Sequence, residues 1–406
     1  MRIHIRVLSL YIFSLLIMYL AGVYFGKILF LLFSFFCTLP VLSFIVLIIW
    51  YRGLELTQTF STYVPVKGEV LIYTLMVINR SFIPLPTVQV VFTSVGSTLD
   101  AQLSSFSIGV EPGTGRKKSY KIRCLYRGTY KLGVRVLEIQ DFLKLVTLKK
   151  KIRPENLSVF PRIIALDPFS QVASITTGNG KYTSAGMLQD PTLFRQLREY
   201  REGDSIRHIY WKKYASIGKP VLKEYDRTKR TGTRVYFDTR KNTRHGINVL
   251  EQEDVSVEIL VALTHYLLDH NVYTTVVAPG WDSGSIVSDE SKGFDDLYKA
   301  TIELEFANTA SPVAAYYEDR QSGNLESQTV IFITHIIDPE IFALRDHARE
   351  HELHFIINGA GYWSKDLMEI QTMLHSVSEY GADGLCIRSA DTIREDLRQS
   401  VTREFS

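Results

Sequence analysis

Cysteine is scarce in this chain: Cys37, Cys124 and Cys386 are three residues among 406, far apart and in no CxxC pair. That excludes a cysteine zinc framework or a disulfide scaffold and suits soluble parts that face a reducing compartment. The sequence also lacks a GxxxxGK[ST] phosphate loop, a GxGxxG dinucleotide turn and a GxSxG nucleophile elbow, so nucleotide and hydrolase chemistry have no anchor. Net charge is the third scarcity. The formal net charge is +3, and two runs, Val7 to Phe25 and Ile28 to Ile49, carry no charge at all.

Each of these runs is close to the ~20 apolar residues that cross a bilayer as a helix, and Gly26-Lys27 makes a short turn between them. The first is too long for the apolar region of a cleaved signal peptide, and no small-x-small site precedes Lys27. Arg2 and Arg6 flank the first run and Arg52 follows the second, while the turn holds Lys27 alone. The positive-inside rule therefore predicts a multi-pass plasma-membrane anchor with both ends, and the soluble bulk, in the cytoplasm. Tyr11, Tyr19, Tyr24, Trp50 and Tyr51 supply an interfacial aromatic belt.

After residue 52 the pattern changes to β-branched alternation broken by turns. Val70 to Ile78, Thr87 to Thr93, Tyr120 to Tyr126 and Thr129 to Ile139 read as strands, and their spacing predicts an antiparallel β-sandwich over 53–165. Lys149-Lys150-Lys151 reads as a solvated strand end, with anionic lipid as the competing contact. The triplets Asn79-Arg80-Ser81 and Asn156-Leu157-Ser158 match glycosylation acceptors that matter only in a secretory lumen. From 231 to 406 strands and helices alternate: strands at Arg234 to Asp238, Val272 to Val277, Thr329 to Thr334, Leu353 to Asn358 and Gly384 to Ile387, with helices at Val255 to Leu268, Phe294 to Leu304, Ile341 to Glu350, Lys365 to His375 and Thr392 to Arg403. This alternation predicts a mostly parallel sheet covered on both faces, with any site at the carboxyl ends of its strands. His347, Glu350 and His351 spell HxxEH, with His354 nearby, but the surrounding charge marks a solvated helix face and no metalloprotease.

The stretch between, 166–230, reads as a linker followed by the most interactive segment of the chain. Between Arg195 and Arg230 eleven Lys or Arg face five Asp or Glu, among Tyr200, Tyr210, Trp211, Tyr214 and Tyr225. Guanidinium forks, aromatic faces and carboxylates in one short span can bind a partner or pin a loop between domains. Gly203-Asp204 predicts a turn and a helix cap, the apolar positions Ile206, Ile209, Tyr210, Tyr214 and Ile217 a helix, and Gly218 and Pro220 its end. Arg207 and Trp211, four apart, share a face of that helix.

Arg198-Glu199-Tyr200, Gly203-Asp204, Arg207, Ile209, Trp211-Lys212 and Ala215 resemble the REYxxGDxxRxIxWKxxA signature of the domain-of-unknown-function 58 family. Tyr214 and Ser216 depart from it, standing where a small and a basic residue are usual. The resemblance implies an overall plan of membrane helices, a β-rich region, the signature, and a von Willebrand factor A-like domain entered through Val235 to Asp238. That domain type can hold a metal on a DxSxS loop with hard oxygen ligands. Here the loop is Asp238-Thr239-Arg240-Lys241-Asn242; Arg240 and Asn242 replace the two serines and Lys241 adds a second cation, so the loop reads as degenerate, without metal or other cofactor.

The resemblance further implies work beside a MoxR-type AAA+ ATPase and transglutaminase-like membrane proteins at the cell envelope. The leading expectation is a non-enzymatic membrane-anchored adaptor that binds partners through Arg198, Glu199, Tyr200, Gly203, Asp204, Arg207, Trp211 and Lys212. Two other classes stay open: a metal-dependent adhesion or enzyme module using Asp238, and a nucleic-acid binder using the basic aromatic stretch, which the nearby carboxylates and the anchor disfavour.

Overall fold

In the computed structural model of the chain the described residues are 2–93, 99–100, 103–166, 194–199, 221–225, 232–244, 248–270, 272–280, 285–288, 291–322, 325, 329–344, 352–379 and 382–397. They divide between two compact units, Met1–Phe160 and Pro161–Ser406.

In the first unit the charge-free runs are helices, α1 over Ile5–Phe25 and α2 over Lys27–Gly53. They meet at Gly26, whose φ of 105° suits glycine because no Cβ is there to clash. Both are long and apolar enough to cross a membrane. A helix on a soluble core hides an apolar stripe, whereas Leu10, Phe13, Leu31 and Phe35 are all exposed, an arrangement that water disfavours. α2, at 27 residues, exceeds the length a bilayer needs. Its excess enters the β layers: Leu47 and Trp50 are buried beside Leu54 in the sandwich core.

Among the described residues eleven strands follow or flank the hairpin: β1 (Arg2–Ile3), β2 (Leu54–Phe60), β3 (Val70–Asn79), β4 (Leu85–Phe92), β5 (Leu99–Asp100), β6 (Phe106–Val110), β7 (Gly115–Cys124), β8 (Gly128–Leu132), β9 (Val134–Gln140), β10 (Val146–Lys151) and β11 (Glu155–Val159). They form antiparallel sheets in the orders β1-β10-β9-β4-β6 and β2-β3-β7-β5, with β8 paired to β11. Alternation decides which side chains turn inward: Leu71, Tyr73, Leu75 and Val77 of β3 share one core with Val88 and Val90 of β4 and Leu137 and Ile139 of β9. The run expected as one strand from Thr129 to Ile139 is two, broken at Gly133 with φ 130°. The lysine run ends its strand with Lys149 and Lys151 exposed, as expected, and only Lys150 turned into the fold. Lys149 pairs with Glu138, and the Lys150 ammonium donates to the Leu54 and Tyr51 carbonyls at the end of α2, where a cation complements the helix dipole.

The second unit holds a two-stranded antiparallel ribbon of β12 (Phe194–Glu199) and β13 (Val221–Tyr225). Beyond it lie β14 (Thr233–Phe237), α3 (Val249–Asp269), β15 (Thr274–Val277), β16 (Ser285–Ser288), α4 (Ser291–Glu303), α5 (Pro312–Gln321), β17 (Thr329–Thr334), α6 (Pro339–Ala343), β18 (Glu352–Asn358), α7 (Ser364–Ser378), β19 (Asp383–Ile387) and α8 (Ile393–Asp396). The sheet order is β16-β15-β14-β17-β18-β19. All neighbours pair in parallel except the edge strand β16, which is antiparallel to β15. Val235 and Phe237 pack on one face with α3, while Tyr236 packs on the other with Phe332 and Tyr316. Burial on both faces is why these strands read as continuous apolar runs.

Candidate functional site

The strand order reverses between β14 and β17, because β14 continues to β15 on one side while β17 leads to β18 and β19 on the other. Loops that leave adjacent parallel strands in opposite directions open a crevice at their carboxyl ends, the usual ligand position in such sheets. Asp238 follows β14 directly, and Thr334 ends β17. Both side chains meet in that crevice.

Asp238 is fully buried, and each of its carboxylate oxygens is engaged. Oδ1 accepts from the Arg240 backbone N–H at 3.0 Å, a local turn that short polar side chains make. The Arg240 guanidinium closes on the same carboxylate, with Nε donating to Oδ1 at 3.0 Å and to Oδ2 at 3.2 Å, and Nη2 donating to Oδ2 at 2.8 Å. Thr334 Oγ1 donates to Oδ2 at 2.8 Å. On its far side Arg240 donates from Nη1 to Asp338 Oδ2 at 2.6 Å. One guanidinium therefore bridges two carboxylates, in the planar forked geometry that gives such pairs their strength. Burial works to lower the Arg240 pKa, but the bonds and charges of Asp238 and then Asp338 outweigh it and hold the pKa above the ordinary arginine value.

The loop beyond is fixed by neutral bonds. Asn242 does not turn toward Asp238: its Nδ2 donates to Gln252 Oε1 at 2.8 Å and to the Tyr362 hydroxyl at 3.1 Å, and its Oδ1 accepts from the Arg244 backbone. The Tyr362 hydroxyl donates to the His335 carbonyl at 2.8 Å, and His335 Nε2 lies 2.8 Å from the Arg240 carbonyl. A chain of bonds thus runs from α3 through Asn242, Tyr362 and His335 back to Arg240. Burial pushes the His335 pKa down, with Asp238 pulling the other way, so the imidazole is neutral in the fold. Lys241 is exposed.

A divalent ion needs several hard oxygens with free lone pairs. Asp238 gives its oxygens to Arg240 and Thr334, Asn242 faces elsewhere, and the cation seat is filled by a side chain of the protein. These residues do not fit a metal of the DxSxS kind. Thr334, His335 and Asp338 were not singled out in the sequence, although Thr334-His335 immediately follows the apolar run of β17, where a crevice residue would fall.

Of the signature residues, Arg198 and Glu199 lie in β12, whose register pairs Arg198 with Leu222 and Glu199 with Val221. Tyr200, Gly203, Asp204, Arg207, Trp211 and Lys212 lie outside the described residues, as does the helix expected over Asp204 to Ile217. Those residues connect two strands that pair with each other. His347, Glu350 and His351 are also outside the described residues; His354 is buried in β18, with Nδ1 at 3.6 Å from Asp383.

The family described as protein of unknown function DUF58 matches residues 196–291, a stretch that includes both the signature and the Asp238 loop. No curated protein matches the chain. Similar solved structures include the CARDB domain of a Pyrococcus furiosus protein in complex with di-metal ions (15% identity, 26% of this chain and 94% of that one, TM-score 0.20). The cupredoxin domain of amoB from Nitrosocaldus yellowstonii is similar at 12% identity (27% of this chain, 87% of that one, TM-score 0.19). A Listeria innocua beta-glucosidase follows at 11% identity (26% and 16%, TM-score 0.17). Likenesses at these scores carry no argument about fold or function.

Proposed function

We propose that this protein is a non-enzymatic adaptor, held in the plasma membrane by α1 and α2, that binds other proteins through the segment from Arg198 to Lys212. The observation that carries the reading is Arg240: the crevice where an α/β sheet usually takes its ligand is filled by the chain's own guanidinium, which consumes the carboxylate that metal or acid-base chemistry would use. A sheet order with one antiparallel edge strand beyond β15 supports a von Willebrand factor A-like domain that has kept its scaffold and replaced its ion. The sequence between β12 and β13 carries arginines and a tryptophan, residue types enriched at protein interfaces.

Arg2, Arg6 and Arg52 at one end of the hairpin, against Lys27 at the other, support cytoplasmic soluble units. The partner class follows from the family resemblance: a MoxR-type AAA+ ATPase, with transglutaminase-like membrane proteins in the same envelope assembly. A photoreactive amino acid at position 211 of the full chain in native membranes tests this. Crosslinking to that ATPase is expected, and labelling confined to the chain's own peptides would overturn the adaptor reading.

A further inference from the structure

The pairing of β1 with β10, Arg2 opposite Thr147 and Ile3 opposite Val146, joins the first residues of the chain to a hairpin about 140 positions away. The His4 backbone donates to the Leu145 carbonyl at 2.9 Å, and His4 Nε2 lies 3.0 Å from the Thr147 hydroxyl. The bond to Leu145 thereby places Lys144 at the start of α1, which carries Arg6, while the register sets Arg2 opposite Thr147, three residues from Lys144; all three side chains are exposed. None makes an ion pair among the described residues. The acids nearby are spent: Glu138 holds Lys149, and Asp141 is buried, its Oδ1 accepting from the Val146 N–H at 2.7 Å and its Oδ2 from Ser43 of α2 at 2.9 Å.

Two features show that this cluster is built. The turn is locked to α2 through Asp141 and Ser43, and Phe142, 57% exposed, lies edge-on to Trp50 with ring centroids 4.7 Å apart. Lys144 also has φ 56°, the left-handed region in which glycine or asparagine would sit more easily. The cluster lies where the exposed apolar surface of α1 and α2 ends and the β layers begin, the level at which lipid headgroups would stand.

We propose that Arg2, Arg6 and Lys144 form a binding site for the phosphate of an anionic phospholipid, with Phe142 seated in the interfacial layer beside it. This rests on the reading of α1 and α2 as membrane-spanning. Cations at an anionic leaflet and an aromatic ring at the headgroup level act together there. Within the lysine run of β10, Lys149 pairs with Glu138 and Lys150 with the end of α2.

The test uses the full chain purified in a neutral detergent and offered equal amounts of 1-palmitoyl-2-oleoyl phosphatidylglycerol and phosphatidylcholine, with retained lipid counted by native mass spectrometry. The wild type is expected to retain phosphatidylglycerol preferentially. The variant Arg2→Gln, Arg6→Gln, Lys144→Gln is expected to lose about tenfold of that preference, and Lys144→Arg alone to keep it. Equal retention of the two lipids by the wild type, or an undiminished preference in the triple variant with near-native melting, would overturn the site. Carbonate extraction separates the underlying reading: release of the chain from membranes would overturn the anchor itself, whereas a chain that stays embedded but shows no lipid preference overturns only this site.

Discussion

Replacing Arg240 with Ala puts the central feature of the sheet under the most direct stress. The variant leaves Asp238, 0% exposed, with Thr334 and the backbone N–H of residue 240 as its donors, and strips Asp338, 12% exposed at its side chain, of its cation. Breaking one partner out of a buried pair costs about 3–5 kcal/mol. The lower end applies, because Asp338 reaches solvent and Asp238 can relax by taking up a proton, so we expect a loss of about 3 kcal/mol near neutral pH. Hydrogen exchange of the full chain in detergent reads this locally: amides of β14 and β17 that open with the core should exchange about a hundredfold faster, at about 1.4 kcal/mol per decade. The double variant Asp238→Asn, Arg240→Met removes the buried charge together with its partner and should recover part of the protection. Exchange in Arg240→Ala within threefold of the wild type would refute the reasoning, since the guanidinium would then contribute little to holding the crevice.

Three further outcomes are expected. His335 is kept neutral by burial, below its ordinary value of 6.5, so its contribution to stability is complete above that pH and is lost as the pH falls below it, when the unfolded chain takes up the proton; the melting temperature of His335→Gln should depend less steeply on pH between 7 and 5 than that of the wild type, and parallel slopes would contradict this. Trp50→Ala opens a cavity where α2 enters the sandwich core and should cost about 3–5 kcal/mol, read as faster exchange in β3 and β9; unchanged exchange would mean that the helix and the sheets are not packed as one unit. Gly109→Ala would bring a Cβ to 2.6 Å from the Pro86 carbonyl oxygen, a clash with backbone that cannot swing aside, so the β4–β6 edge should lose protection, and native protection there would disprove the contact.

The parts of the fold that could be read in advance are those where one physical term dominates. The charge-free runs within α1 and α2, and the unbroken TVIFIT of β17, leave few alternatives to an apolar helix and a doubly covered strand. Local spacing misleads where tertiary bonds rescue polar residues. The helix expected to begin at Val255 begins at Val249, capped by Asn248, because Gln252 and Asp254 are buried instead of solvated; Gln252 meets Asn242 and Ala360, partners that local spacing does not reveal. Helix α5 is not among the helices that periodicity marks, although Ser311-Pro312 is a start signal, with the Ser311 hydroxyl accepting from the Val313 N–H. At the crevice, Arg240 beside Asp238 could be seen to oppose a metal, but its bond to Asp338 depends on a residue 98 positions away in sequence. Asn242, grouped with that loop in the sequence, serves to tie it to α3 and Tyr362.

Affinity for the partner is the most direct measure of an adaptor. Full-length protein in lipid nanodiscs, titrated with the MoxR-type AAA+ ATPase of the same genome, should bind it and lose about 2 kcal/mol, a thirtyfold rise in Kd, on Arg207→Ala or Trp211→Ala. Failure of the wild type to bind, or equal Kd values for the wild type and both folded variants, would contradict it.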